Sequence, residues 1–428
     1  MTETTIALVV LQHGLWGNSA HMKYIHNKLD EAYGDSISIL NVEVNEAKYT
    51  YDGVDICGER LIKNIYSHIE KLAEKNKKVD RITLVGYSLG GLIIRYAAGI
   101  LAKKGFFNHV KAQWLITFAT PHMGVRRPTT SVVGRTFNFL CGNMVSRSGE
   151  QLQLSDDYED GRPLLDILAD PDREFYKALE LFKVKRVYAN VANDRTVPYW
   201  TAGLETIGYY ETPKSLQVTR DEKYPALLTA VGVNDPSKKE ESKSSWSPWY
   251  LLLVVTPVVV PVYLVFAFLF VGGQGLLSRR RAHQLLNGKI LIGGTDLPVY
   301  KDEEEERHHA TRSETILDEA FLDVMEGAHF QDQEGGETQK SSEKNPQESN
   351  RVTYSISPTP ELQSSVQPLD LTLVQQKIQE NLSRLEWERI FVFIRGINAH
   401  ASIVCRDQRF TQEDGECVVR HFVDTFKP

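Results

Sequence analysis

The sequence predicts an α/β protein in which a mostly parallel sheet carries helices on both faces. Strand and helix patterns alternate along the first two hundred residues, and the strand candidates are mostly apolar and rich in Val, Ile or Leu. Continuous apolar strands are typical of a parallel sheet that is covered on both faces. A further strand and helix pattern after about residue 371 completes the same core.

The individual elements are short, and most are rich in Val, Ile or Leu. The predicted strands are Ile6–Gln12, Ser38–Val44, Arg81–Val85, Gln113–Phe118, Lys185–Val191 and Arg389–Ile394. Apolar residues that recur on one face predict helices. These helices are Asp55–Lys78, Leu92–Lys103 and Glu413–Phe426.

Composition divides the chain into four parts. The first is a core part at 1–237, with a lid-like insertion at about 122–182. The second, 238–283, is an apolar segment at 249–271 with its basic flanks. A partly disordered acidic and polar insertion at 284–370 and a second core part at 371–428 follow. The polar stretch at about 327–367 holds too few apolar residues to order itself. We therefore expect one core that two insertions interrupt.

Charge and cysteine content exclude several classes of function. The formal net charge of −7 argues against a nucleic-acid-binding protein. None of the four cysteines lies in a CxxC pair or in a cluster with metal-ligand spacing; they are Cys57, Cys141, Cys405 and Cys417. We expect reduced thiols, as in a cytosolic protein, and neither a metal nor a cofactor.

A G-x-S-x-G motif marks the candidate nucleophile. Gly86-Tyr87-Ser88-Leu89-Gly90 follows a predicted strand and opens a predicted helix, which is the setting of the nucleophile elbow in α/β-hydrolases. The two glycines allow the strand and the helix to approach closely around the serine. The alternative is an ordinary strand–turn–helix with a capping serine. The context favours Ser88 as a nucleophile.

The loop after the first strand is the candidate oxyanion hole. In this fold the oxyanion is stabilised by one backbone N–H from an early loop and one from the residue after the nucleophile. His13-Gly14-Leu15-Trp16-Gly17 is that loop, so the amides of Leu15 and Leu89 are predicted to serve. His13 is expected to shape the loop. The alternative for the glycines is simple turn chemistry.

The acid and the base must follow the serine in that order. Asp194 lies just past a predicted strand, where a carboxylate would orient a histidine, although it could also be a turn aspartate in a salt bridge. Of the twelve histidines, His400 alone follows Asp194 on a loop between a strand and a terminal helix. His122 is the main rival, with a loop-ordering role as its simpler explanation.

The segment 249–271 contains no charged residue and would span a bilayer as one helix. A single crossing would, however, separate Ser88 from His400. Pro257 and Pro261 would break a helix near its middle, and both flanks are basic. We therefore predict a hydrophobic hairpin that dips into one leaflet. A buried core helix is the alternative.

With these residues in place, the chain resembles the "putative serine esterase" family of lipases. The matching stretches are LQHGLWGN at 11–18, TYDGVDICGERL at 50–61, LVGYSLGGLIIRYA at 84–97, FATPHMGVRRP at 118–128, YANVANDRTVPYWTA at 188–202 and GINAHASIVCR at 396–406. The resemblance implies an α/β-hydrolase fold and a triad of Ser88, Asp194 and His400. It also implies cleavage of acyl esters in glycerophospholipids.

Residence on lipid droplets is implied as well, with the endoplasmic reticulum membrane as a second location and a cytosolic catalytic domain. Expected partners are a lipid substrate and a membrane or droplet monolayer. Two alternatives stay open. One is the same chemistry on a neutral lipid or another acyl ester, and the other is a membrane-bound scaffold that keeps the fold without catalysis.

Overall fold

A computed structural model describes residues 4–126, 146–208, 216–233, 273, 275–284, 357–358, 368–396 and 398–428. The apolar segment at 249–271 and most of the insertion at 284–370 lie outside these ranges. Among the helices within these ranges, none is long and apolar enough to cross a membrane.

A six-stranded sheet forms the centre of the molecule, and every neighbouring pair of its strands is parallel. Its strands are β1 (Thr4–Gln12), β2 (Ile37–Asn41), β3 (Lys77–Tyr87), β4 (Lys111–Phe118), β5 (Val184–Asn190) and β9 (Trp387–Val392). Their spatial order is β2-β1-β3-β4-β5-β9. The strand that comes last in sequence therefore extends the sheet beside β5.

Helices cover both faces of this sheet. They are α1 (Lys23–Tyr33), α2 (Val54–Ala73), α3 (Leu89–Lys103), α4 (Arg147–Leu152), α5 (Leu164–Leu168), α6 (Glu174–Leu181), α7 (Tyr199–Gly203), α8 (275–284), α9 (Leu373–Ser383), α10 (Ala399–Ser402) and α11 (Glu413–Thr425). One apolar cluster joins the sheet to α2 and α3. A second joins the opposite face to α1 and α11 through residues such as Leu29 and Phe422.

All six predicted strands of the parallel sheet are confirmed, with shifted ends. The predicted helix Asp55–Lys78 is wrong at its end, because α2 stops at Ala73 and Lys77 already begins β3. Lys77 pairs with Thr4 at the exposed start of β1. Polar residues there can extend either a helix or a solvent-facing strand, so the apolar pattern does not separate the two.

A small second sheet is absent from the sequence prediction. It consists of β6 (Leu216–Arg220), β7 (Leu228–Val233) and β8 (Ser357–Pro358). β8 falls within the stretch that composition predicts to be disordered, so that prediction is wrong for these two residues. Two residues can join a strand through backbone pairing alone, which leaves no apolar pattern to find.

The region predicted as a lid-like insertion ends in a scaffold helix. α6 packs against α3 and leads into β5, as the crossover helix between two parallel strands does. Residues 127–145 of this region lie outside the described ranges. The lid therefore stays a prediction for the residues that precede α6.

Candidate active site

Ser88 lies on a sharp turn between β3 and α3. Its backbone φ of 54° and ψ of −125° are strained for a residue with a side chain. The Ser88 amide donates a hydrogen bond to the Phe118 carbonyl at 2.9 Å, which ties the turn to β4. A Cβ added to Gly90 would lie 2.3 Å from the Gln12 carbonyl oxygen, so only glycine fits there. This geometry is that of a nucleophile elbow.

The loop after β1 passes directly against the serine. A Cβ built on Gly14 would lie 2.7 Å from the Ser88 Cβ, which brings the backbone of this loop beside the hydroxyl. The loop is closed by a turn in which the Gly17 amide donates to the Gly14 carbonyl at 3.1 Å. Leu15 follows Gly14 in this loop, and Leu89 opens α3. Both proposed oxyanion donors therefore belong to segments that meet at Ser88.

Asp194 follows β5 at the carboxyl edge of the sheet, and its side chain is buried. Its Oδ1 accepts hydrogen bonds from the amides of Thr196 at 3.0 Å and Val197 at 2.8 Å. Two backbone donors fix one carboxylate oxygen and leave Oδ2 to face His400. The turn-aspartate reading is therefore partly right, because the turn holds the carboxylate in place for a second contact.

His400 lies between this carboxylate and the serine. Its Nδ1 is 2.8 Å from Asp194 Oδ2, and its Nε2 is 3.1 Å from Ser88 Oγ. His400 is only 4% exposed and Ser88 only 8%. A carboxylate cannot donate a proton, so Nδ1 carries the hydrogen and the lone pair of Nε2 faces Oγ. The structure thus brings together all three side chains that the sequence singles out.

The rival histidine is held elsewhere. His122 Nε2 lies 3.0 Å from Thr117 Oγ1, and its Nδ1 lies 3.3 Å from Nη1 of the buried Arg95. Burial and the adjacent guanidinium hold the pKa of His122 well below its usual value. His122 therefore contacts a threonine and an arginine, and it orders the loop after β4.

Two further buried histidines have other hydrogen-bond partners. His13 lies 3.0 Å from the Gly14 carbonyl through Nδ1, and burial lowers its pKa to about 4. His421 on α11 lies 2.9 Å from the Tyr188 hydroxyl, and burial lowers its pKa to about 3. Both are neutral at pH 7 and serve the packing around the sheet edge. The expected loop-shaping contact of His13 is present.

Sequence reasoning missed the contribution of Tyr87. Its hydroxyl donates a hydrogen bond to the His400 carbonyl at 3.0 Å, and the two rings lie 5.1 Å apart. The residue before the nucleophile therefore holds the loop that carries the histidine. Its position inside G-x-S-x-G was visible in the sequence, but its partner, 313 residues away, was not.

Within the described residues, no group of three or more His, Cys, Asp or Glu side chains could hold a metal ion. The three cysteines described there, Cys57, Cys405 and Cys417, are buried and unlinked. Burial raises the pKa of the Cys57 and Cys405 thiols to about 12, which keeps both protonated. These thiols are therefore poor nucleophiles, and the reactive arrangement in this region is the one around Ser88.

A parallel sheet with helices on both faces, an elbow serine and a histidine–aspartate pair at its carboxyl edge defines the α/β-hydrolase fold. Residues 2–206 match the family model "Putative serine esterase (DUF676)". The resemblance seen in the sequence motifs is thereby confirmed.

Curated relatives are described as lipases. The chain is 30% identical over 206 residues to "Putative lipase C4A8.10" of Schizosaccharomyces pombe, across 46% of this chain and 26% of that protein. It is 30% identical over 236 residues to "Putative lipase ROG1" of Saccharomyces cerevisiae, across 54% of this chain and 32% of that protein. The chain thus spans about a third or less of the length of these relatives.

Among solved structures, the chain matches that of the lin2722 gene product of Listeria innocua. The identity is 14%, the match covers 46% of this chain and 77% of that one, and the TM-score is 0.29. A similarity of this size carries no information about substrate.

Proposed function

We propose that this protein is a serine-dependent carboxylic-ester hydrolase that releases fatty acids from glycerophospholipids at a lipid surface. The observation that carries the proposal is the continuous line of hydrogen bonds from Asp194 through His400 to Ser88. Serine, histidine and aspartate in this order are the parts of an acyl-transfer site. The family match and the relatives that are described as lipases support an acyl ester as substrate.

The reaction follows from the geometry. His400 Nε2 takes the proton of Ser88 as Oγ attacks the acyl carbonyl, and Asp194 stabilises the imidazolium. The carbonyl electrons move onto oxygen, where the amides of Leu15 and Leu89 would donate to the oxyanion. As the tetrahedral species collapses, the bond to the lysophospholipid oxygen breaks, and His400 returns the proton to that oxygen. Water, activated by His400, then cleaves the acyl-serine and releases the fatty acid.

The location of the enzyme is proposed from the order of the chain. β5 precedes the apolar segment at 249–271, and β9, which pairs with β5, follows it. Ile207 and Pro368 are also bridged across this interval. The two flanks therefore lie in one domain, which supports a hairpin in one leaflet over a single crossing. A droplet has a phospholipid monolayer, so we place the enzyme on lipid droplets, and on the endoplasmic reticulum membrane, with its catalytic domain in the cytosol.

Substrate class is tested with the purified full chain. The protein and its Ser88→Ala variant are incubated with matched dispersions of a phosphatidylcholine, a triacylglycerol and a sterol ester, and released fatty acid is measured. We expect release from phosphatidylcholine by the unmodified protein alone. Equal release by the variant would disprove the serine hydrolase. Preferential release of fatty acid from the triacylglycerol or the sterol ester would support a serine hydrolase but would show that its substrate is a neutral lipid.

Placement on a lipid surface has its own test. A chain that lacks residues 249–271 is compared with the full chain by flotation with isolated lipid droplets, with soluble-ester hydrolysis as the check that both are folded. We expect the shortened chain to remain in the bottom fraction, apart from the droplets, while it keeps its esterase activity. Equal flotation of both chains would disprove the anchor.

A further inference from the structure

Helix α8 follows the apolar segment 249–271 closely in the chain, and its residues 275–284 pack on the catalytic domain. Small residues face the domain: Gly275, Ser278 and Ala282 are buried. Two leucines face away, because Leu276 is 63% exposed and Leu277 is 49% exposed. These two account for half of the large exposed apolar side chains among the described residues. The outer surface of α8 thus exposes two leucines close to the apolar segment, beside the polar side chains of Arg279, Arg280, His283 and Gln284.

Arg281 fastens α8 to the segment Ala47–Asp52. Its guanidinium donates to Asp52 Oδ1 at 2.9 Å and to the Lys48 carbonyl at 3.2 Å, and it lies over the Tyr49 ring. The Asp52 side chain is fully buried, and its Oδ2 accepts a hydrogen bond from Nη2 of Arg60 on α2 at 2.6 Å. Asp52 is therefore shared between the core of the domain and the helix that follows the apolar segment.

The same segment supports the oxyanion loop. The Trp16 amide donates to Thr50 Oγ1 at 3.0 Å, and the Ala47 amide donates to the Gly17 carbonyl at 2.9 Å. Trp16 has a φ of 55°, a left-handed conformation that costs free energy and persists only where neighbours hold it. Thr50 and Ala47 provide that support, and Leu15 lies directly before Trp16. The position of the Leu15 amide thus depends on Ala47–Asp52.

We propose that α8 contacts the lipid surface through Leu276 and Leu277 and that Arg281 is a positioning residue which ties this contact to the oxyanion loop. The occupant is a lipid surface rather than a protein, because the two exposed leucines follow the apolar segment closely in the chain. Lipid contact favours the docked position of α8, in which Arg281 holds Ala47–Asp52 against the loop. This inference rests on the proposed function and assigns to it a mechanism of activation by lipid.

The lipid contact is tested with an environment-sensitive fluorophore on Leu277→Cys. The matched control carries it on Leu181→Cys, which is 51% exposed on α6, and the unsubstituted protein gives the background from its own thiols. Vesicles of ether-linked phosphatidylcholine, which no esterase can cleave, contain a spin-labelled lipid as quencher. We expect quenching at 277 and none at 181. Equal signals at both positions would disprove the lipid contact.

The coupling is tested by hydrolysis of the soluble ester p-nitrophenyl butyrate, with and without the same vesicles. Arg281→Gln should lower kcat by about tenfold or more with an unchanged KM, since displaced groups distant from the reaction can cost this much. It should also abolish the rise in kcat that vesicles give the unmodified protein. Arg281→Lys should retain most of the kcat and most of its rise with vesicles. Asp52 keeps Arg60 in these variants, so the fold is expected to persist, which thermal unfolding checks.

Arg280→Gln is the matched control, because it removes the same charge from the exposed side of the same helix. Its kcat should equal that of the unmodified protein. If Arg281→Gln and Arg280→Gln give the same kcat and the same response to vesicles, the coupling is disproved. Neither assay uses phospholipid as a substrate, so failure of the phospholipase proposal would leave both results readable.

Discussion

The parts of the chain before and after the apolar segment contribute unequally to one site. The earlier part supplies five strands of the main sheet, the proposed nucleophile Ser88, the carboxylate of Asp194 and the loop beside the serine. The later part supplies one strand and His400. The family model ends at residue 206, within the earlier part. A scaffold with a nucleophile and an acid is therefore recognisable in a region that contains no base, and the site is complete only when β9 pairs with β5.

The buried histidines of the chain are held in two different ways. His122 and His13, before the segment, contact an arginine or a backbone carbonyl, and burial lowers the pKa of each. His400, after the segment, contacts a carboxylate on one side and a hydroxyl on the other. Burial alone therefore does not mark a catalytic base. The partner on each ring nitrogen separates a base from a packing residue.

The largest effect is expected when either part loses its reacting group. Ser88→Ala and His400→Ala should each lower kcat on a soluble ester by about a millionfold, because nucleophile and base act as one unit. The double variant should lose no more than either single variant. Initial rates of the three proteins measure this. His122→Gln is the control, and it should retain kcat, since that histidine does not contact the serine. A large loss of kcat in His122→Gln, with none in His400→Ala, would mean that His122 and not His400 is the base.

A smaller loss is expected from the acid. Asp194→Asn keeps the shape of the side chain but can hold the wrong tautomer of His400, which should lower kcat by about 10⁴-fold. Steady-state kinetics on the same ester measure this loss. A value of kcat near that of the unmodified protein would mean that the histidine is oriented by other groups.

Acid sensitivity is expected from both parts. The pKa of His13 is about 4 and that of His421 about 3 in the folded protein, against 6.5 for the free side chain. Below about pH 6.5 these two histidines become protonated in the unfolded chain but stay neutral in the folded protein, so the free energy of unfolding falls as the pH falls. For His13 the loss is about 3 kcal/mol by pH 4. Urea unfolding between about pH 7 and pH 4 measures it.

His13→Asn and His421→Gln should each flatten this dependence. Their effects should add, because the residues lie on different elements and bond to different groups, the Gly14 carbonyl and the Tyr188 hydroxyl. An unchanged slope in both variants would mean that other groups control acid unfolding.

The smallest effect concerns the contact that joins the two parts. Tyr87→Phe removes the hydrogen bond to the His400 carbonyl and leaves the ring in place. Such a bond contributes about 1 kcal/mol, so kcat should fall roughly fivefold. The kcat of this variant and of Tyr24→Phe, which removes a hydroxyl bonded to Glu416 at the surface, should differ by that factor. Equal values would show that Tyr87 does not position the histidine.

The sequence predicted the sheet and the triad because both leave local signals. An apolar strand before G-x-S-x-G, and a strand before each of Asp194 and His400, place all three side chains at one sheet edge. Contacts between distant residues leave no such signal. The bond of Tyr87 to His400 and the pair of Asp52 with Arg281 depend on folded geometry, as does the addition of Ser357–Pro358 to β7. The overrun of α2 shows the same limit, since polar residues fit both a helix end and an exposed strand start.

The dependence of Ser88 on a base from the later part of the chain is tested most directly by covalent labelling. The full chain is treated with a fluorophosphonate, and the modified residue and its labelling rate are determined by mass spectrometry. We predict one adduct, on Ser88, and a labelling rate that falls sharply in His400→Ala but not in His122→Gln. An adduct on another residue, or labelling of His400→Ala at the unmodified rate, would contradict the assignment.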